Sequence, residues 1–260
     1  MKRWISPLLA GLAVVALATP AAAQGTDTFT WRGEIAPGQT VTVRGINGKI
    51  EARPTSGRTL RLEAEKRAKE GPVADLDVDV RRSSGGITIC GVYPLEDGGR
   101  KNACDSGRNG DMRDGAKIDF TVHVPSGVDF EARTVNGGIE TGELGGDVTV
   151  STVNGGIEVT GTGTVEANTV NGSIEAVTGA ARWDGDLEFE TVNGSITVTL
   201  PADASARVRA ETVNGRLDTD FPLTVEGRWG PRRMEGTIGG GGGGTLRLET
   251  VNGAIRLRRS

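Results

Sequence analysis

The sequence predicts an all-β chain: a single-domain parallel β-solenoid with Asn-Gly corners and one disulfide-closed loop. Three observations carry this. The hexapeptide T-V-N-G-x-[I/L] recurs, beginning at Thr134, Thr152, Thr169, Thr191, Thr212 and Thr250, with a weaker copy, G-I-N-G-K-I, at Gly45. Each copy is entered and left by alternating apolar and polar residues. Five successive asparagines, Asn136, Asn154, Asn171, Asn193 and Asn214, are spaced 18, 17, 22 and 21 residues apart.

The alternation defines the unit. Four residues before each Thr stand Phe130, Val148, Val165, Leu187, Val208 and Leu246, and two before stand Ala132, Val150, Ala167, Phe189, Ala210 and Leu248. Polar residues separate them, so a strand with one buried face enters each corner. Ile139, Ile157, Ile174, Ile196, Leu217 and Ile255 restart the pattern beyond it. Asn-Gly suits a two-residue hairpin, because both residues tolerate positive φ. It also suits the corner of a stacked coil, where asparagine amides bond to one another. A hairpin meander explains the alternation but not one corner per unit at near-constant spacing, so stacking is favoured. The expected corner ladder is Asn47, Asn136, Asn154, Asn171, Asn193, Asn214 and Asn252. One unit buries too little apolar surface to offset the ordering of its backbone, so the units should fold as one stack.

Residues 1–23 read as a signal peptide: Lys2 and Arg3, an apolar run from Leu8 to Ala18, and Ala21-Ala22-Ala23 as the cleavage site, with cleavage after Ala23. The run is short and broken by Gly11, which disfavours a membrane anchor, and no later stretch is apolar enough to span. The expected domain is 24–260, exported to the periplasm or cell surface. The formal net charge is −4, and loss of Lys2 and Arg3 makes the remainder more acidic. That argues against nucleic acid as a partner. Aromatic residues make up 4% of the chain while glycines number 41, as suits a narrow core with many corners.

Phe29 to Glu51 should form the opening strands, turned at Pro37-Gly38, and Thr59 to Glu65 another strand, preferred over a short helix. Leu76–Val80 and Gly86–Cys90 pair around Ser-Ser-Gly-Gly. From 91 to 116 the pattern fades, and a loop excursion is expected. Cys90 and Cys104 are the only cysteines and should form a disulfide closing it. A metal or redox pair is the weaker alternative, because the chain has a single His and lacks a zinc ligand set. That residue, His123, sits on the outward face of an alternating strand from Ile118 to Val124, with no nucleophile motif beside it. A second insertion is expected at 221–244, as a loop with a short hairpin. Its six glycines, Gly239 to Gly244, read as a flexible lead into the last coil. Arg256, Arg258 and Arg259 would protect an exposed final strand.

Two carboxylate columns invite a calcium reading: Glu140, Glu158 and Glu175, and Glu190, Glu211 and Glu249. Carboxylates ~4.8 Å apart repel by only about 0.9 kcal/mol in water, so a solvated face needs no metal. No metal or other cofactor is expected. Arg182, Asp184 and Asp186 beside Trp183 are the nearest thing to a polysaccharide-cleaving cluster, but no second carboxylate set accompanies them.

The tandem T-V-N-G-[GS]-I, the opening G-x-I-x-P-G-x-x-V-x-V-x-x-x-N-G-x-I from Gly33 and the I-C-x-V-Y-P segment at Ile89–Pro94 resemble the bacterial putative-adhesin family of exported β-strand-repeat proteins, a domain of unknown function. The resemblance implies an envelope β-solenoid without established catalytic residues. The expected function is a non-enzymatic envelope scaffold whose partner is an envelope protein or a surface glycan. A carbohydrate-active enzyme on the same scaffold, or a component of an envelope-stress sensor, is the alternative.

Overall fold

A computed structural model describes residues 25–105, 110–226, 231–241 and 243–260. The segment read as a signal peptide, with its cleavage point after Ala23, lies outside the described residues. The chain opens with β1 (Gly25–Glu34), followed by the first coil, β2 (Thr40–Arg44) and β3 (Ile50–Thr55), and by β4 (Thr59–Ala68), which pairs antiparallel with β1. Next come β5 (Asp77–Ser83), β6 (Gly86–Pro94), β7 (Arg100–Asn102) and β8 (Lys117–Pro125). The repeat array follows as strand pairs: β9 (Asp129–Arg133) with β10 (Ile139–Leu144), β11 (Val148–Ser151) with β12 (Ile157–Gly161), and β13 (Val165–Asn168) with β14 (Ile174–Thr178). It continues through β15 (Asp186–Asn193) with β16 (Ile196–Leu200), and β17 (Ala206–Asn214) with β18 (Leu217–Thr219). A hairpin, β19 (Thr224–Glu226) and β20 (Arg232–Ile238), leads to the last coil, β21 (Thr245–Asn252) and β22 (Ile255–Arg259).

Strands entering the corners build one sheet and strands leaving them build the other. The orders are β19-β20-β17-β21-β15-β13-β11-β9-β2-β6-β5 and β1-β4-β8-β3-β10-β12-β14-β16-β22-β18. The coils pair in parallel, and like positions align: Val148 lies beside Phe130 and Val165, and Ile157 beside Ile139 and Ile174. The period-two pattern turns every second side chain into the space between the sheets, where Val150, Ala167, Phe189, Leu248 and Ala210 are buried. The fold is a two-sheet parallel β-solenoid.

The order of coils departs from the order of sequence. The last coil lies between β15/β16 and β17/β18, pairing in parallel with both. At the other end, the coil made of β6 and β8 stacks outside β2 and β3. Both the first and the last coil of the chain are therefore interior. This corrects the expectation that Arg256, Arg258 and Arg259 protect an exposed edge. β22 is paired on both sides from Ile255 to Leu257, and beyond them Arg258 bonds Asp218 at 2.6 Å and Asp220 at 3.0 Å on the outermost coil. The outermost strand at this end of the sheet is β18, shortened to three residues.

The glycine run is also corrected. Rather than forming a flexible lead, Gly243 and Gly244 thread between neighbouring coils. A Cβ at Gly243 would overlap the carbonyl oxygen of Ser205, and one at Gly244 that of Gly185. Gly244 N–H bonds Trp183 O at 2.7 Å. Gly239 and Gly241, at φ 59° and 68°, turn the chain into this slot.

Residues 91–116 do leave the winding, but not as an open loop. β6 runs on to Pro94, Tyr93 and Leu95 are fully buried, and β7 folds back onto β6. The alternation is obscured there because β6 is buried on both faces. Cys90 and Cys104 form a disulfide with a Cα–Cα distance of 5.6 Å. With a sequence separation of 14, the closed loop is worth about 3 kcal/mol through the unfolded chain's entropy. Urea unfolding with and without a thiol reductant should show that loss. A shift below ~0.5 kcal/mol would mean that β7 packing alone holds the segment.

Candidate functional site

The corner is built residue by residue from the hexapeptide. Each Asn donates its side-chain amide to the Asn of the adjacent coil. Asn136 bonds Asn47 at 2.8 Å, Asn154 bonds Asn136 at 2.9 Å, Asn171 bonds Asn154 at 2.8 Å and Asn193 bonds Asn171 at 2.9 Å. The ladder then passes through Asn252, which bonds Asn193 at 2.8 Å, and ends at Asn214, which bonds Asn252 at 2.9 Å. All seven asparagines join one file, in the spatial rather than the sequence order.

The Thr of the motif is buried, and its hydroxyl donates to a glycine carbonyl one coil away. Thr152 reaches Gly137 O at 2.9 Å, Thr169 reaches Gly155 O at 3.0 Å and Thr191 reaches Gly172 O at 2.9 Å. The weak copy has Gly45 in place of Thr. There the Tyr93 hydroxyl takes over, accepting the Ile46 N–H at 3.0 Å and donating to Asn47 O at 3.2 Å. Burial pushes the Tyr93 phenol up to about 12.

The corner glycine has a different role from the one its Asn-Gly context suggests. No corner asparagine has positive φ, and of the corner glycines only Gly48 does. At Gly137, Gly155, Gly172, Gly194, Gly215 and Gly253 a Cβ would instead overlap a glycine carbonyl oxygen of the neighbouring coil. Glycine is needed for close approach between corners, not for a left-handed turn.

With Thr inward, the next residue must point out. Val135, Val153, Val170, Val192, Val251 and Val213 are each 38–44% exposed, and this uniformity makes them one apolar stripe along the stack. All of the stripe but Val135 lines a groove of about 670 Å³. The residue before each Thr lines it too. In stack order this runs Arg133, Ser151, Asn168, Glu190, Glu249 and Glu211, so the groove is basic at one end and acidic at the other. Burial, with Glu188 and Glu249 nearby, raises the Glu190 carboxyl above the ordinary range. Arg247 lies beside this acidic end and bonds Glu249 at 2.9 Å. The valines were legible in every copy of the motif. The missing step was to carry the inward–outward alternation one residue past the threonine.

The other carboxylate column, Glu140, Glu158 and Glu175, lines a shallower hollow of about 370 Å³ on the opposite side of the corner. Among the described residues no group of three or more His, Cys, Asp or Glu is placed to hold a metal ion. Asp119 shares the outward face of β8 with Thr121, as the alternation through His123 predicts, but it is covered there. It accepts the Lys49 N–H at 2.8 Å and pairs with Arg67 at 2.9 Å. Arg182, Asp184 and Asp186 do not converge. They surround Trp183, which is buried against Gly244 and donates its indole N–H to Thr245 O at 3.5 Å.

The crystal structure of a putative cell adhesion protein from Clostridium sporogenes is similar over 90% of this chain and 100% of its own, at 11% identity and a TM-score of 0.49. A putative adhesin from Bacteroides fragilis is similar over 89% of this chain and 97% of its own, at 13% identity and a TM-score of 0.33. A putative lipid binding protein from Parabacteroides distasonis covers 90% and 97% respectively, at 11% identity and a TM-score of 0.26. No curated protein matches the chain. Residues 77–258 match the Toastrack DUF4097 family, and the chain belongs to that family.

Proposed function

We propose that this protein is an exported, non-enzymatic scaffold of the cell envelope, and that its corner groove holds an extended segment of a partner protein. The observation that carries the reading is the valine-lined groove beside the asparagine ladder, graded in charge from Arg133 to Glu211. A polypeptide offers apolar side chains for the valines and charges of both signs for the residues beside them. A neutral glycan offers no charge to match that gradient, and among the described residues no aromatic ring lines the groove for a sugar to stack on. The groove carboxylates Glu190, Glu249 and Glu211 stand in one file along adjacent strands. Glycosidic cleavage needs two carboxylates flanking one bond, and a single file does not supply that. The Cys90–Cys104 disulfide and the signal-like N-terminus fit an oxidising compartment.

A photo-crosslinking amino acid placed at Val170 in the producing cells tests this, with the same substitution at Glu158 on the opposite side of the corner as reference. An adduct formed from position 170 alone and destroyed by protease is the expected result. An adduct that survives protease but is removed by glycan-cleaving enzymes would overturn the peptide assignment. Equal labelling from both positions would overturn the groove.

A further inference from the structure

The two sheets have four ends, and three are blunted. β18 and β19 are three residues each. β5 carries Asp77, Asp79, Arg81 and Arg82, and its charges are engaged by Arg100, Asn102 and Asp105. The fourth end, β1, is unlike the others. It is ten residues long, pairs with β4 in unbroken register, and contains no proline. Its sequence, G-T-D-T-F-T-W-R-G-E, is rich in threonine and aromatic residues and carries no lysine. Such an edge is a template for another strand unless something guards it.

The backbone geometry shows which groups are free. Ile35 N–H bonds Arg58 O at 3.0 Å, and antiparallel alternation then directs the odd-numbered residues of β1 toward β4. Thr26, Thr28, Thr30, Arg32 and Glu34 present N–H and C=O outward. Two contacts agree with this. Thr28 N–H bonds its neighbour Asp27 Oδ1 at 2.9 Å, and the Glu34 carbonyl accepts from Arg82 Nη1 at 3.3 Å. Arg82 also lies over the Trp31 ring, 5.2 Å from its centroid. It therefore closes the outward row at Glu34 and, among the described residues, leaves Thr26 to Arg32 open.

That open row is symmetric about Phe29. We infer that β1 is a self-pairing edge: two copies of this chain join antiparallel across a twofold axis at Phe29 and continue one ten-stranded sheet into the other. In this register Thr28 faces Thr30 of the second copy and Thr26 faces Arg32. On the other face Phe29 meets Phe29, and Asp27 faces Trp31. No like charges are opposed, and both threonine and aromatic cross-strand pairs are favourable. Every outward N–H and C=O from Thr26 to Arg32 gains a partner, Thr28 by releasing Asp27. The corner groove lies on the far coils, so pairing at β1 leaves it open on both copies. This inference does not rest on the proposed function.

Sedimentation equilibrium of the chain from Gln24 tests it, using the wild type and Thr30→Pro. Proline at 30 removes an outward N–H while the ladder to β4, made by odd-numbered residues, is kept. The expected result is a wild-type mass that rises toward twice the monomer's at concentrations up to about 100 μM, and a Thr30→Pro protein that stays monomeric with an unchanged melting temperature. A Phe29→Cys variant should form a covalent dimer on mild oxidation, since residue 29 faces itself at a close, non-hydrogen-bonded pair. A wild type that is monomeric throughout, or a dimer indifferent to Thr30→Pro, would overturn the proposal.

Discussion

Replacing Gly172 by alanine is expected to destabilise the protein by about 3 kcal/mol or more, although the added group is one methyl. The Cβ would overlap the carbonyl oxygen of Gly155 and crowd the N–H of Gly156. Those atoms are backbone and cannot swing aside as a side chain could. Their position is set from both directions. Gly172 N–H bonds Asn193 O at 3.0 Å, Gly155 N–H bonds Asn171 O at 3.0 Å, and the amide ladder ties Asn171 to Asn154 at 2.8 Å. Opening the corner to admit the methyl would stretch all of these, and would also part the Thr191 hydroxyl from Gly172 O, now 2.9 Å away. The comparison is Gly156→Ser. Its Cβ would meet nothing nearer than Ser173 O at 3.6 Å, and the same column already holds Ser173 and Ser195. That substitution should shift stability by less than ~0.5 kcal/mol. Urea unfolding followed by circular dichroism measures both. Equal effects at the two glycines would refute the close-approach account of the corner.

That account also marks where the sequence stopped being informative. The strand–corner–strand unit was legible because period-two alternation and a fixed spacing are local properties. Val148, Val165 and Phe130 fall in one column by simple alignment, and the structure pairs them. The reason for the corner glycine was not local. Asn-Gly is the same dipeptide in a left-handed hairpin and in a stacked corner, and only the carbonyl of the neighbouring coil distinguishes them. The fading of the pattern after Cys90 had a similar cause. A strand covered on both faces loses its alternation, so Val92 to Leu95 looked irregular while Tyr93 and Leu95 were deeply buried. The covering of Asp119 was not legible because Arg67 comes from β4 and the Lys49 amide from the first corner, while only Lys117 lies on its own strand.

The stacking order was illegible for a different reason: the coils are nearly interchangeable. Val208 and Leu246, or Ala210 and Leu248, serve equally well in the same columns. Groups outside the motif select the order. Arg247 stands 3.8 Å from Glu188 on β15 but opposite Arg209 on β17, so its charge favours the first of these neighbours and not the second. Arg258 reaches Asp218 and Asp220, and Gly244 admits the chain past Trp183. These pairs are exposed and contribute little stability each. They act by making one arrangement better than a permuted one, which is a question of specificity.

Because the last coil is interior, the C-terminal residues should behave as the middle of the protein. Leu248→Asp is expected to cost about 4 kcal/mol or more, since Leu248 has no exposed surface and an aspartate there has no partner for its charge. Leu217→Asp, on the true end coil and only half-buried, should cost about 1 kcal/mol. In an ordinary linear repeat array the contrast would run the other way, with residue 217 internal and residue 248 in the fraying terminal unit. Hydrogen exchange adds a reading without mutation. Amides of β21 and β22 should be protected as strongly as those of β13 and β15, while β18 and β19 exchange by local opening, with each 1.4 kcal/mol of difference appearing as roughly a tenfold change in rate. The same reasoning holds at the first coil, where β2 and β3 are covered by β6 and β8. Both ends of the repeat region are thus held between neighbours, and unfolding cannot begin by peeling the last sixteen residues from the stack. Fast exchange across 245–259 would show that the last coil is a loosely inserted strand pair and that the spatial order described here is not what stabilises the protein.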